Sequence, residues 1–223
     1  MGHLAPTTSI AGFLHAMNST PTTTLHHTLL EEVRVLFLRE GIGPLSLEQI
    51  IQKLNVSPAT FHGMFEDKND LVTQVVVHDM ERQQREHAAL FARTDNPVER
   101  ILLLLQDGIQ ELQQTPSSNY ADIQREHPAA WNLMMDHLVT YSYPQIHGLL
   151  NDGILRKQFR GDINIELVTK IILEQVNLIL NTDIFPPSRY NLAEVFRSIY
   201  LYYIRGICTD EGMQLAASHF ARL

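Results

Sequence analysis

The sequence predicts an all-α protein. It contains 11 glycines and 10 prolines among 223 residues, fewer than the roughly 12% that the two contribute on average, which favours long helices over many short strands. Apolar residues recur at helical spacing along most of the chain, and no segment of useful length alternates with the period typical of strands. With 44% hydrophobic residues, the chain has enough apolar mass for a sizeable core.

The chain is acidic, with 17 Lys and Arg against 25 Asp and Glu and a formal net charge of −8. This charge does not attract a polyanion at long range, so any nucleic-acid binding would have to be local. The single cysteine, Cys208, excludes an internal disulfide. No apolar run approaches the ~20 residues of a membrane span. A secretory signal would require basic residues near the N-terminus, and no Lys or Arg precedes Arg34. We therefore expect a cytoplasmic protein without membrane association.

The N-terminus is predicted to be an arm followed by a helix. Residues 1–24 contain no Asp, Glu, Lys or Arg and end in Pro-Thr-Thr-Thr, which is typical of a loose arm that ends at a helix N-cap. A first helix over about 25–40 follows, because apolar residues form a stripe of period 3.6 and Gly41 comes after its end. The stripe consists of Leu29, Val33, Leu36 and Phe37.

Two short helices separated by a tight turn come next. Ser46 and Gln49 have the spacing of a capping box at the start of the second helix. That helix is predicted to end at Asn55, since asparagine tolerates the left-handed backbone conformation. Ser57, followed by a proline, opens a third helix that is predicted to end near Met64. This is the layout of a DNA-binding helix-turn-helix.

The rest of the chain is predicted to form further helices with clear start signals. Asp67 can cap a helix that runs to about Phe91, and Asn96 precedes a helix that ends before Pro116. A long helix over about 128–151 should be kinked by Pro144. The remaining predicted helices lie at about 120–126, 164–181 and 191–206, with a short one after Asp210.

A set of turn, core and polar residues in this N-terminal region occurs in a specific order. Its members are Gly41, Ser46, Ile50, Asn55-Val56-Ser57, Thr60, Phe61, Phe65, Lys68 and Leu71. The pattern resembles the N-terminal domain of the TetR family of bacterial transcriptional regulators. The resemblance implies a three-helix DNA-binding domain at 25–71, joined to a helical-bundle domain at 72–223 that binds a ligand and forms a homodimer.

The resemblance also implies which residues contact DNA. Thr60 and Lys68 match positions that contact backbone phosphates in the family, and Ser46 at a helix start is a suitable further donor. Pro58 and Ala59 lie where base edges would be met, but neither can make a bidentate base contact. The predicted DNA-binding residues are Ser46, Ser57, Pro58, Ala59, Thr60, His62, Gly63 and Lys68.

Three features of this domain oppose tight DNA binding. His62 stands where the family usually has Tyr, and Gly63 stands where His, Tyr or Arg is common. The arm lacks the basic residues that are frequent there in the family. Residues 25–71 contain four basic and seven acidic residues. A domain with few cations neutralises few phosphates and releases few counterions from the DNA, so its DNA affinity is low. The alternative hypothesis is a TetR-like dimeric module that binds small molecules or proteins, with weak or lost DNA binding.

The resemblance further implies a repressor that is released from double-stranded operator DNA by a small, mostly apolar effector, without a cofactor. Soft and aromatic side chains in one apolar region are candidates for its pocket, and ordinary core packing is the alternative for each. These candidates are Leu104, Trp131, Met134, Met135, His137 and Tyr141. The homodimer should use the helices at about 164–181 and 191–206, whose apolar faces are broader than one buried side requires.

No metal site or catalytic centre is predicted. His127, His137 and His147 are ten residues apart, so each step rotates about 280° around a helix and the three do not share a face. The sequence contains no Gly-x-Ser-x-Gly motif, no glycine-rich phosphate loop and no carboxylate pair in an apolar frame. We therefore expect neither an enzyme nor a metalloprotein.

Overall fold

The computed structural model describes residues 21–217, and this part of the chain is almost entirely helical. The all-α prediction is confirmed: between residues 21 and 217 the only strand-like pairing is an isolated bridge between Phe159 and Cys208. The helices are α1 (Pro21–Glu40), α2 (Leu47–Leu54), α3 (Pro58–His62), α4 (Lys68–Phe91), α5 (Pro97–Gln114), α6 (Ser117–Glu126), α7 (Pro128–His137), a π-helical turn (Leu138–Ser142), α8 (Tyr143–Leu155), α9 (Ile165–Leu180), α10 (Leu192–Ile207) and α11 (Asp210–Leu215).

Most helix ends lie within one residue of their predicted positions, and four differ by two to four residues. The first helix already includes Pro21, so it starts before the predicted residue 25, and residues 1–20 of the predicted arm lie outside the described residues. Helix α3 ends at His62 rather than near residue 64. Helix α6 begins at Ser117 instead of residue 120, and α8 continues to Leu155 instead of ending near residue 151.

The predicted kink at Pro144 takes the form of a π-helical turn. Because proline has no amide hydrogen, Pro144 cannot donate to the carbonyl four residues earlier. The chain instead widens over Leu138–Ser142, and the amide of Tyr143 donates to the carbonyl of Leu138, five residues back. This turn interrupts the regular α-helical pattern between α7 and α8.

Helices α1, α2, α3 and the start of α4 form most of one core, to which Ile123 of α6 and Ala130 of α7 also belong. Its most deeply buried members, each at most 1% exposed, include Val33, Ile50, Phe61, Phe65 and Leu71. The local signals predicted from the sequence are present: Ser46 and Gln49 form the capping box, and Asn55 adopts φ 51° between α2 and α3. The amide of Thr60 donates to the Ser57 hydroxyl at the start of α3.

A second, larger core joins α5, α8, α9 and α10. It contains Leu102, Leu150, Ile179 and Ile204, each at most 2% exposed. Gly153 in α8 allows the ring of Phe159 to pack against the helix, because a Cβ at this position would overlap that ring. No helix among residues 21–217 is both long enough and apolar enough to cross a membrane.

Candidate DNA-binding surface and effector cavity

Of the eight predicted DNA-binding residues, Lys68 is the first residue of α4 and the other seven lie in α3 or at the ends of α2 and α3. Six of them are exposed and two, Thr60 and Lys68, are half-buried. The exposed ones are Ser46, Ser57, Pro58, Ala59, His62 and Gly63. A helix-turn-helix is therefore present with its second helix open to solvent, as docking in a DNA groove requires.

The hydroxyls on this surface already have partners within the protein. The Ser46 hydroxyl accepts from the amide of Gln49 and donates to the carboxylate of Glu48 over 2.8 Å. Ser57 and Thr60 share a hydrogen bond of 2.7 Å between their hydroxyls. These contacts fix the starts of α2 and α3, so the hydroxyls serve the local fold even without DNA.

Glu48 places a negative charge beside one predicted phosphate contact. Its own backbone amide and the Ser46 hydroxyl both donate to the carboxylate and lower the pKa of Glu48 below its ordinary value. The group is therefore ionised at neutral pH. A phosphate that approached Ser46 would meet this charge, which opposes binding.

The cations of the N-terminal domain are also engaged. Lys68 is half-buried, and its ammonium donates to the backbone carbonyl of Ile42 over 2.8 Å, which ties the segment between α1 and α2 to the start of α4. The other three cations pair with carboxylates. The pairs are Arg34 with Glu31 at 2.7 Å, Arg39 with Glu40 at 2.8 Å and Lys53 with Glu40 at 3.0 Å.

A cavity of about 350 Å³ lies between the two cores, within the range of small-molecule sites. Four of the six predicted pocket residues line it: Leu104, Met134, Met135 and His137. Trp131 does not line it but packs against both cores and borders a second depression. Tyr141 does not line the cavity either. Its ring stacks on the ring of His137, which does, with 4.7 Å between the ring centroids.

One wall of the cavity is polar, and the sequence analysis missed it. Asp79, Gln83 and His87 face the cavity from α4, and Asp107 and Glu111 face it from α5. Their spacing of four residues places each set on one helical face. This spacing could have indicated a polar wall from the sequence, but charged residues four positions apart are equally typical of a solvent-facing helix surface.

Ion pairs and hydrogen bonds connect the two helices along this wall. The guanidinium of Arg82 contacts the carboxylates of Asp79 at 2.8 Å and Glu111 at 3.2 Å. Burial, followed by the charge of Asp79, raises the pKa of Glu111 above its ordinary value. The imidazole of His87 lies 3.2 Å from the carboxylate of Asp107.

His137 is the polar group of α7 that faces the cavity. Burial, followed by the proximity of His87, lowers the pKa of its imidazole, so the ring is neutral at pH 7. Its Nε2 atom is buried and has no hydrogen-bond partner among residues 21–217. A buried polar atom of this kind is a suitable contact for a polar group of a ligand.

Helix α6 connects the cavity to the segment between α1 and α2. The Asn119 side chain accepts from the amide of Ile42 and donates to the carbonyl of Phe37, both over 3.0 Å. Asp122, one turn later, accepts from the amide of Gly43 over 3.0 Å. Asn119, Phe37 and Ile42 all line the cavity, so an occupant would touch both domains.

Helices α9 and α10 have apolar side chains that no part of the described chain covers. Leu167, Ile171 and Leu178 on α9 are 40–56% exposed, and Tyr202 on α10 is 70% exposed.

Among residues 21–217, no group of three or more His, Cys, Asp or Glu side chains is placed to hold a metal ion.

Neither a model of a known protein family nor any curated protein matches this sequence. Solved structures do match, at low sequence identity. A TetR-family transcriptional regulator from Cytophaga hutchinsonii has a TM-score of 0.65 at 15% identity, over 86% of this chain and 98% of its own. A candidate transcriptional regulator from Saccharomonospora viridis, in complex with choline, has a TM-score of 0.66 at 17% identity, over 84% and 99%.

A third match is the transcriptional regulator FadR from Bacillus subtilis in complex with stearoyl-CoA. Its TM-score is 0.59 at 14% identity, over 80% of this chain and 97% of its own. The matches extend over nearly the full length of each neighbour, so the arrangement of helices in both domains is shared. The chain therefore has the fold of the TetR-family transcriptional regulators.

Proposed function

We propose that this chain is a cytoplasmic transcriptional regulator, a repressor that a small effector releases from DNA. Residues 25–71 would dock α3 in a DNA groove, and residues 72–223 would bind the effector and form the dimer. The observation that carries the proposal is the cavity, because its wall includes Phe37 and Ile42 of the DNA-binding domain. No catalytic role is proposed for any residue.

The contacts of Asn119 suggest how the cavity and the DNA-binding domain are coupled. This side chain both lines the cavity and holds the segment after α1. An effector that binds better to one orientation of the DNA-binding domain shifts the population toward it. The two half-sites of an operator are ~34–36 Å apart. If the favoured orientation sets a different distance between the two α3 helices of the dimer, DNA affinity falls.

The dimer is proposed to form through α9 and α10. Exposed apolar residues on these helices, such as Leu167, Ile171 and Tyr202, would be buried against the same helices of a second chain. Two helices from each chain would make a four-helix bundle with two-fold symmetry. A symmetric dimer is required because the operator in this proposal is a palindrome.

The effector is proposed to be mostly apolar. Aliphatic side chains and methionines make up most of the cavity lining, and such side chains adapt to apolar ligands. Two neighbours of the same fold are bound to stearoyl-CoA and choline, which supports small-molecule binding as the role of the larger domain.

A second candidate function is favoured by the charges on the docking surface. Glu48 adjoins Ser46, and the ammonium of Lys68 is bound to Ile42. A TetR-like dimer with this surface could bind its ligand, or a protein partner, while its DNA affinity is weak or lost. Few available cations make the electrostatic part of DNA affinity small.

Fluorescence anisotropy separates these two functions. The purified full chain would be titrated into labelled duplex from directly upstream of its own gene and into a scrambled duplex, at 50 and 200 mM salt. A DNA-binding regulator that controls its own gene binds the upstream duplex more tightly, with a shallow salt dependence because few phosphates are neutralised. Equal, weak binding of both duplexes would instead favour the second candidate.

A further inference from the structure

The cavity lining contains more acidic than basic side chains. Three of its lining residues carry carboxyl groups, Asp79, Asp107 and Glu111, and one carries a guanidinium, Arg34. The guanidinium of Arg34 is already bonded to Glu31 over 2.7 Å and lies 4.0 Å from Asp79. It therefore does not balance the two carboxylates on α5.

The groups around the wall do not remove this excess. Arg82 is shared among Asp79, Glu86 and Glu111, at 2.8, 2.6 and 3.2 Å, so three carboxyl groups have one guanidinium between them. Asp107 has an imidazole rather than a guanidinium as its partner, the ring of His87. The raised pKa of Glu111 is the expected consequence of a buried carboxyl whose charge is incompletely compensated.

The remaining lining of the cavity is largely apolar. It includes side chains of α7, α9 and α10, such as Met134, Val176 and Phe196. His137 of α7 also lines the cavity. The unpaired Nε2 of neutral His137 can accept a hydrogen bond in the tautomer protonated at Nδ1.

We propose that the cavity selects an amphiphilic amine, with the apolar body against α7, α9 and α10 and the protonated head between Asp107, Glu111 and His137. This inference rests on the proposed function, because it specifies the effector of the same cavity. A carboxylate or phosphate head would add a negative charge to three carboxylates, and burying such a charge without a cation is costly. An ammonium head compensates them and provides a donor for His137.

Isothermal titration calorimetry with three ligands of one chain length tests the inference. Decylamine, decanol and decanoate would be titrated at pH 7, below their micellar concentrations, into the full-length protein. We expect decylamine to bind at least about tenfold more tightly than decanoate, a difference of about 1.4 kcal/mol, and more tightly than decanol. Decanol or decanoate binding as tightly as decylamine would overturn the inference.

Variants of the two carboxylates on α5 assign the preference to the wall. Asp107→Asn and Glu111→Gln should each reduce the preference for decylamine over decanol severalfold, measured as the ratio of the two dissociation constants in the same variant. Measurable decanol binding in each variant reports an intact cavity. Glu81→Gln is the matched control, because Glu81 is exposed on α4 and does not line the cavity. An unchanged preference in both variants would contradict the inference.

The same titration distinguishes this inference from the function on which it rests. If decanol and decanoate bind but decylamine has no advantage, the cavity still takes a small effector and only the cationic selectivity is wrong. If none of the three ligands binds, the effector cavity itself is wrong, and both proposals fall together.

Discussion

At the scale of single residues, Lys68 has a structural contact as well as the phosphate role that the resemblance implies. Its ammonium donates to the Ile42 carbonyl over 2.8 Å in a half-buried position, and a hydrogen bond from a charged group contributes about 1.5–3 kcal/mol. Holding α4 to the segment after α1 also positions α3. Loss of Lys68 should therefore affect both folding stability and DNA binding.

We expect Lys68→Ala to lower the free energy of unfolding in urea by about 1.5–3 kcal/mol. It should also weaken binding to all DNA sequences alike and flatten the salt dependence. Lys53→Ala is the control, since Lys53 forms only a surface ion pair with Glu40, and such pairs contribute about 0–1 kcal/mol. Equal stability losses in the two variants would show that the contact with Ile42 is not important.

Glu48 provides a test of the charge on the docking surface. Its carboxylate lies against Ser46, and its lowered pKa keeps it ionised from pH 6 to 8. We expect Glu48→Gln to tighten binding to specific and scrambled DNA alike by about two- to fivefold, the scale of one exposed charge. Glu32→Gln, at an exposed position of α1, should change the anisotropy titration less. No gain from Glu48→Gln would mean that this charge does not face DNA.

At the scale of elements, the two glycines of α8 have opposite requirements. A Cβ at Gly153 would overlap the ring of Phe159, whereas a Cβ at Gly148 has nothing within 4 Å. Gly153→Ala should lower the free energy of unfolding by about 1–3 kcal/mol through overpacking. Gly148→Ala in the same helix should raise it by about 0.5–1 kcal/mol, because alanine favours the helix. Urea unfolding that ranks the variants in the reverse order would contradict this packing.

Helix α6 is expected to restrain the segment that follows α1. Removing the Asn119 side chain leaves the amide of Ile42 without its acceptor, at a cost of about 1–3 kcal/mol. Asn119→Ala should therefore accelerate amide hydrogen exchange over residues 41–45, and Gln124→Ala, at an exposed position of α6, should not. Equal exchange rates in the two variants would show that the Asn119 contacts do not restrain this segment.

The helices themselves could largely be predicted from the sequence, because their start and stop signals are local. The capping box of Ser46 and Gln49 and the left-handed turn at Asn55 involve residues a few positions apart. The polar wall of the cavity and the contact of Asn119 with Ile42 could not be predicted from the sequence. The latter joins residues 77 positions apart, and the acidic faces of α4 and α5 have the same pattern as a solvated surface.

The pocket predictions show the same limit. Met134, Met135, His137 and Leu104 line the cavity, but Trp131 and Tyr141 do not. Helical spacing gives the side of a helix on which a residue lies. It does not give the rotation of that helix within the bundle, and the π-helical turn at Leu138–Ser142 changes this rotation partway along the helix.

At the scale of the whole molecule, the proposed regulator requires a dimer. Ile171 on α9 is 46% exposed and lies on the apolar face that a second chain would cover. We expect Ile171→Glu to sediment as a monomer in sedimentation velocity, because the dimer would bury an unpaired carboxylate in its interface, which is unfavourable. Leu155→Glu, at a position of α8 that is 75% exposed, should leave the dimer intact. A dimer that persists in Ile171→Glu would place the interface elsewhere.

Recognition of a particular DNA sequence by this protein can be tested by selection from a random duplex pool. The full-length protein would be incubated with the pool at low salt, and bound duplexes would be sequenced after successive rounds. We expect enrichment of a palindrome whose half-sites are one helical turn apart, about 10–10.5 base pairs, or a multiple of this. A pool that remains random after selection would contradict the proposed DNA recognition and would favour a dimer that only binds ligands or proteins.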